Sequence, residues 1–308
     1  MGKATRESYG EALLELGDEN KNIVVLDADL SKSTKTNGFK NKFKDRFFNA
    51  GIAEQNLMGM AAGMANVGLI PFASTFAVFA TGRAFEIIRN SICYPKVNVK
   101  IAATHAGITV GEDGGSHQSV EDIALMCSLP NMTVIVPADD REAKAAVKAA
   151  SKMEGPVYLR FGRCACSDIF DDSYEFKIGK GSEIVSGNDV SIIAIGMMVE
   201  KAVEAAKMLQ EEGINARVID MATVKPIDRE IIIKAAKETK GIVTAEEHSI
   251  IGGLGAMVSA VVCDESPCKV KMVGIKDKFG ESGTPGELMK KYKLTSEEMV
   301  KNVKEILK

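Results

Sequence analysis

Residues 55–82 contain no Asp, Glu, Lys or Arg, in a chain that is otherwise 26% charged. A stretch of that length must be buried, either in lipid or in protein. Asn66, Pro71 and the repeated glycines break it too often for a membrane span, so it reads as a helix, a turn, a buried strand and a second helix. The residues before it fit the same pattern: Phe47 to Ala50 as a short strand, Gly51 as the turn, and Ala53 to Asn66 as a helix of small, closely packing residues. Glu54 therefore falls in a first helical turn. A carboxylate there is favoured by the helix dipole and the unpaired amides. It also stands at the carboxyl end of a strand, where open parallel sheets bind ligands. Position alone leaves both roles open.

The rest of the chain repeats the strand and helix alternation. Thr5 is expected to cap a first helix to about Gly17, and Asn22 to Leu30 (NIVVLDADL) is an apolar run ending in acids, as in a fully buried parallel strand. Ser33 follows this strand in a lysine-rich loop. Phe76 to Tyr94 reads as a helix with Phe76 and Phe79 on one face, an arrangement common in cores. A strand from Val97 to Thr104 ends at His105. It leads into AGITVGEDGGSHQSVEDIALM, a Gly-rich loop with Glu112, Asp113 and His117, before a helix expected to be capped by Ser119. Two of the chain's three histidines lie in this stretch, suited either to proton transfer near neutral pH or to turn hydrogen bonds. Met132 to Asp139 is a further strand before a helix from Asp140, and Pro156 to Arg163 a strand ending in Arg160 and Arg163, cations for a phosphate or for ordinary salt bridges.

Alternation of this kind implies an α/β fold with a doubly wound parallel sheet. At 308 residues the chain suits two domains, and the turn-forming stretch Cys164 to Asp189 marks the join. We place the domains at 1–165 and 186–308, with 166–185 as linker. GGLG at 252–255 lacks the GxGxxG spacing and reads as a tight packing turn. Thr284 with Glu287, and Thr295 with Glu298, are spaced as capping boxes of a helical tail.

A net charge of −3 gives no basic field for nucleic acid. The six cysteines form no CxxC pair, so neither a zinc site nor a disulfide framework is expected. The amphipathic N-terminus lacks the apolar middle of a signal peptide, which suggests a cytoplasmic protein without a membrane partner.

FNAGIAEQN, the STFAVF aromatics and THAGITVGEDGGSHQ, in this order, resemble the pyrimidine-binding and C-terminal domains of transketolase over essentially the whole chain. The resemblance implies a thiamine-diphosphate-binding domain followed by a transketolase C-terminal-like α/β domain. It makes Glu54 the glutamate that hydrogen-bonds the aminopyrimidine N1′ and favours the imino tautomer, whose nitrogen takes the thiazolium C2 proton. Phe76 and Phe79 match the aromatics on the pyrimidine ring, and a third family aromatic falls at Gly82 here. Asp113 and His117 match contacts to the donor sugar's hydroxyls, with His117 also counted as catalytic. His105 and Ser33 match groups near the substrate phosphate, Asp29 an acid near the thiazolium, and Arg160 or Arg163 the phosphate arginine.

The chain has no GDG motif with its metal-binding segment, so the resemblance is to the C-terminal subunit of a split transketolase. Thiamine diphosphate with Mg2+ or Ca2+ is then expected mainly on an N-terminal partner subunit, in a heterotetramer serving the pentose phosphate pathway. The implied reaction is two-carbon ketol transfer between phosphorylated sugars. Related possibilities are the beta subunit of a 2-oxoacid dehydrogenase, the C-terminal half of deoxyxylulose phosphate synthase, and a non-catalytic scaffold.

Overall fold

The computed structural model describes residues 2–308. The first half supplies β1 (Ile23–Asp27), β2 (Phe47–Asn49), β3 (Ile70–Phe76), β4 (Lys100–Thr104), β5 (Thr133–Ile135) and β6 (Val157–Arg160). The second supplies β7 (Ser182–Val185), β8 (Val190–Ala194), β9 (Ala216–Asp220), β10 (Thr223–Lys225), β11 (Gly241–Ser249) and β12 (Lys269–Ile275). Two sheets form, in the orders β10-β5-β6-β4-β3-β1-β2 and β12-β11-β8-β9-β7. All pairings among β1 to β6 are parallel, and helices cover the sheet so that β1, β4, β5 and β6 are buried along their whole length. That burial is why these strands read as unbroken apolar runs rather than alternating ones.

Strand β1 has β2 on one side and β3 on the other, so the winding direction changes there. The crevice beside such a switch point, outside the carboxyl ends of the strands, is where open α/β sheets bind ligands. Asp29 follows β1, Glu54 follows β2, Phe76 ends β3, His105 follows β4 and Arg163 follows β6. Packing behind this edge is tight. Tyr9 stacks on Phe161 at 5.0 Å and shares a 2.6 Å hydrogen bond with Ser74 Oγ.

Several expectations are corrected in detail. Phe76 is the last residue of β3 and opens no helix; the chain then winds through two π-helical segments, Phe79–Arg83 and Ile88–Cys93, around a short α-turn. Thr5 sits inside the first helix, which runs to Glu19, and its hydroxyl accepts from Gly162 N at 2.9 Å instead of capping. Ser119 is no cap either, because the helix starts at Asp122, whose carboxylate is taken by Arg160. Ser182–Val185, assigned to the linker for its turn-rich surroundings, forms edge strand β7 antiparallel to β9. The second half also lends β10 to the first sheet, antiparallel to β5, a pairing too short to show a sequence period.

The GGLG turn does pack tightly. Glu246 on β11 accepts from Leu254 N at 2.7 Å and Gly255 N at 2.8 Å, and a Cβ on Gly253 would lie 2.0 Å from its Oε2. The helix N-terminus is thus satisfied internally by a carboxylate. Thr284 and Glu287 form a full capping box, while Thr295 caps its helix by accepting from Glu298 N. No helix among the described residues is long and apolar enough to cross a membrane.

Asp139 caps the helix Asp140–Lys152, accepting from Glu142 N, and its other oxygen accepts from Ile169 N and Phe170 N, all at 2.8 Å. Asp139→Ala would orphan three amides around a buried position, and is expected to destabilise the chain by about 3 kcal/mol. Urea unfolding of the two proteins, compared at equal slope, checks this.

Candidate active site

Glu54 is the first residue of the helix Glu54–Asn66, and its side chain is only 2% exposed. No side chain caps this helix, so the carboxylate lies beside free amides at its positive end. Its partner is Arg83, whose Nη1 lies 2.8 Å from Oε2. The Arg83 guanidinium also sits over the Phe79 ring, 4.8 Å from its centroid. Phe79 stacks on Phe76 at 5.8 Å and 15°, although the two belong to different elements. The sharp exit from β3 lays the rings parallel.

The aromatic pair leads on to the histidines. His105 stacks on Phe76 at 3.9 Å, and His117 meets Phe79 edge-on at 5.4 Å. His105 takes a positive φ of 58° after β4, a conformation uncommon away from glycine and one that aims the ring back over the strand ends. Arg6 Nη1 donates to Ser33 O at 3.0 Å and approaches His105 Nε2 at 3.2 Å. Because arginine can only donate, Nε2 is the acceptor, and the imidazole proton lies on Nδ1, 2.9 Å from Thr104 Oγ1. Burial and then the charges of Arg6 and Arg163 push His105 down to about 3, so its ring is neutral at physiological pH.

Asp113 and His117 lie on the loop after β4, Asp113 about half exposed and 3.8 Å from Arg163 Nη1. Arg163 also donates to the Val110 carbonyl. The backbone of Asp29, at a φ of 64°, is fixed by reciprocal hydrogen bonds with Asn49 at 2.9 and 3.0 Å. Asp29 stands at the rim, exposed. Arg160, by contrast, turns inward. Its Nε and Nη2 bind Asp122 at 2.7 and 3.1 Å, and Nη2 also donates to the Glu247 carbonyl at 3.0 Å. Of the two arginines proposed for phosphate, Arg160 is committed to this buried pair, and Arg163 is the one beside Asp113.

Two site residues escaped sequence reasoning. Arg6 lies a hundred residues from His105 in sequence, and only the strand order, with the first helix packed under β1, brings them together. Arg83 follows Gly82 in a segment expected to be an ordinary helix, where a lone arginine carries no signal. Gly82, Gly51, Gly59 and Gly63 all face space in which a Cβ meets nothing within 4 Å. The carboxylate, aromatic and histidine row therefore lies along one open wall.

A row of this kind at the switch point of a doubly wound sheet, followed by a second α/β unit, defines a two-domain α/β chain with one wall of a ligand site. Residues 1–167 match the transketolase pyrimidine binding domain and residues 179–299 the transketolase C-terminal domain. The chain belongs to the transketolase family. It is 52% identical over 309 residues to a protein of Methanocaldococcus jannaschii described as a transketolase C-terminal section, covering 99% of this chain and 97% of that one. With human transketolase it shares 36% identity over 308 residues, 99% of this chain but only 49% of the human one. A solved structure titled as a split-gene transketolase, an inactive beta4 tetramer, superposes with a TM-score of 0.92 at 58% identity, covering 100% of this chain and 99% of that one.

The neutral state of His105 has a consequence for stability. Its native value lies below the ordinary 6.5, so the unfolded chain binds a proton that the native chain refuses. Stability is fully present above about 6.5 and declines as pH falls toward about 3, with a slope from this group approaching 1.4 kcal/mol per pH unit. His105→Phe keeps the stack on Phe76 and removes the titration. Denaturant unfolding from pH 7 to pH 4 should show the variant with the shallower loss.

Proposed function

We propose that this chain is the C-terminal subunit of a split transketolase, transferring a two-carbon ketol unit from a ketose phosphate to an aldose phosphate. The observation that carries this is the buried Glu54 carboxylate in one contiguous row with the stacked Phe76 and Phe79. The row suits the aminopyrimidine of thiamine diphosphate: a carboxylate for a ring nitrogen, parallel aromatic faces, and free space at Gly82 where relatives would place another ring. Thiamine diphosphate, when bound, supplies the electron sink for breaking a carbon–carbon bond beside a carbonyl.

This chain's residues then have separate tasks. Glu54 holds the ring nitrogen and its proton, which requires Arg83 to share or release Oε2. His117 and Asp113 bind donor hydroxyls, with His117 placed to move a proton. Arg6, Arg163, Ser33 and neutral His105 face the phosphate end, where Arg6 Nε is buried without a partner. A phosphate oxygen would satisfy that donor. Asp29 lies at the rim toward the thiazolium.

Coverage of 49% of human transketolase supports an N-terminal partner subunit that brings the diphosphate and Mg2+ or Ca2+ site, in a cytoplasmic heterotetramer of the pentose phosphate pathway. The proposed domains are 1–165 for the pyrimidine unit and 186–308 for the C-terminal unit, the latter extended at its start to take in β7, Ser182–Val185.

The chain should be inactive alone, and should transfer ketol from xylulose 5-phosphate only when mixed with an N-terminal-type subunit and cofactor. Glu54→Gln should lower that rate by about 10³-fold, in the range of lost acid–base catalysis, while still assembling. Carbon dioxide release from pyruvate would point to deoxyxylulose phosphate synthesis, and full activity in Glu54→Gln to a scaffold.

A further inference from the structure

The loop carrying Asp113 and His117 is shaped from the outside by the second α/β unit. On its leading flank Glu247, buried on β11, accepts from Thr109 N at 2.7 Å. A Cβ on Gly107 would lie 2.2 Å from the Glu247 carboxyl carbon, so only glycine, at a φ of 79°, lets the backbone come this close. On the trailing flank Gln118, buried, places its amide nitrogen 3.1 Å from the carbonyls of Ile108 and Gly111 and 2.9 Å from that of Glu281. One side chain thus closes the loop on itself and ties it to the segment between β12 and the helix Pro285–Lys291. The loop meets that segment through glycines: Cβ atoms on Gly114 and Gly115 would fall 2.6 Å from Ser282 Oγ and 2.7 Å from Gly280 O. Across from them, a Cβ on Gly280 would strike Gln118 Oε1 at 1.7 Å.

We infer that the C-terminal unit sets the donor-sugar subsite, with Gln118 and Glu247 as positioning residues that hold Asp113 and His117 in register. Neither side chain needs to touch substrate. The work is geometric: the partly exposed loop of five residues between Gly111 and His117 would otherwise sample many conformations, and freezing it beforehand spares that entropy on binding. The cofactor row meets this loop only at the ring of His117, edge-on to Phe79 at 5.4 Å and to Phe76 at 6.4 Å, and makes no hydrogen bond to Gln118 or Glu247. The segment Gly280–Ser282 thus acts first on the loop and the donor it would bind, and reaches the cofactor row only through that ring contact. This rests on the ketol-transfer function proposed above.

The test is Gly280→Ala, which evicts the Gln118 amide without altering any residue of the row, alongside Glu247→Ala and Glu247→Gln. Hydrogen exchange of residues 108–118 in the full chain should quicken about tenfold in Gly280→Ala and Glu247→Ala, and stay near wild type in Glu247→Gln, which keeps an acceptor for Thr109 N. In the reconstituted enzyme the donor KM should rise about tenfold for the first two with kcat nearly unchanged, and thiamine diphosphate affinity should not move. Unchanged exchange and KM in folded variants would overturn the inference. So would a joint loss of kcat, cofactor affinity and melting temperature, the mark of a merely structural role. If Gly280→Ala does not fold, the Glu247 pair decides alone. A wild-type mixture without ketol transfer would refute the proposed function instead, and the exchange measurement would still judge the struts.

Discussion

The buried pair between Asp122 and Arg160 is the constraint on which the arrangement of the two units depends. Burial alone pushes the Asp122 carboxyl up, but the charge and hydrogen bonds of Arg160, with the 2.7 Å bond from Tyr158, outweigh it and leave it below the ordinary carboxylate range. Arg160 ends β6 of the first sheet, Asp122 opens the helix after the loop of Asp113 and His117, and the same guanidinium donates to the carbonyls of Ser119 and Glu247. One side chain therefore joins the sheet, the loop's exit and β11 of the second unit. Taking two charges out of water is costly, and losing one partner of such a pair costs about 3–5 kcal/mol because the other is left bare. A hydrophobic replacement could match the stability, but it could not fix three backbone segments at once.

A second polar centre lies at the same joint and works differently. Glu142 on the helix Asp140–Lys152 and Asp220 at the end of β9 are both buried, and burial followed by their mutual influence raises Asp220 well above the carboxylate range. Burial raises Glu142 to about 7, against hydrogen bonds that include the Tyr174 hydroxyl and Ala138 N. Two carboxyls held this way favour sharing one proton, so the pair carries a single negative charge where the charges of Arg160 and Asp122 cancel. Together the two centres satisfy polar groups on both sides of the seam, while β10 carries the second half of the chain into the first sheet. The units are interlocked rather than tethered.

How much of this was legible in the sequence follows from the range of the signals. Fully buried parallel strands announce themselves as apolar runs, so β1, β4, β5 and β6, and the alternation beyond them, could be read directly. Residues that follow such strands, Glu54, His105 and Asp113 among them, inherit their placement at the carboxyl edge from that reading. Short antiparallel additions carry no period, and β7 and β10 were invisible. The sharp departure of the chain after Phe76 was hidden because a strand end and a helix start share the same apolar residues. Arg160 and Arg163, three apart at the end of one strand, could not be told apart, since which one points inward depends on Asp122, on a helix whose cap was expected at Ser119. Arg6 and Arg83 needed the strand order and the π-helical turn, both tertiary facts.

The same geometry leaves one side of the Glu54, Phe76 and Phe79 row open. The helix Glu54–Asn66 buries Leu57, Met58, Ala61 and Ala62 against the core but turns Gly59 and Gly63 outward, and Ile52 and Val67 at its two ends are 79% and 77% exposed. Large apolar side chains and open glycines on one uncharged face leave a surface that water serves poorly and a second helix could approach closely. Arg83 lies beside this face, half exposed, with its charge on Glu54. In the free chain that arrangement keeps the buried carboxylate compensated. On the function proposed above, a partner surface and a cofactor closing over the row would both act on this one 2.8 Å contact.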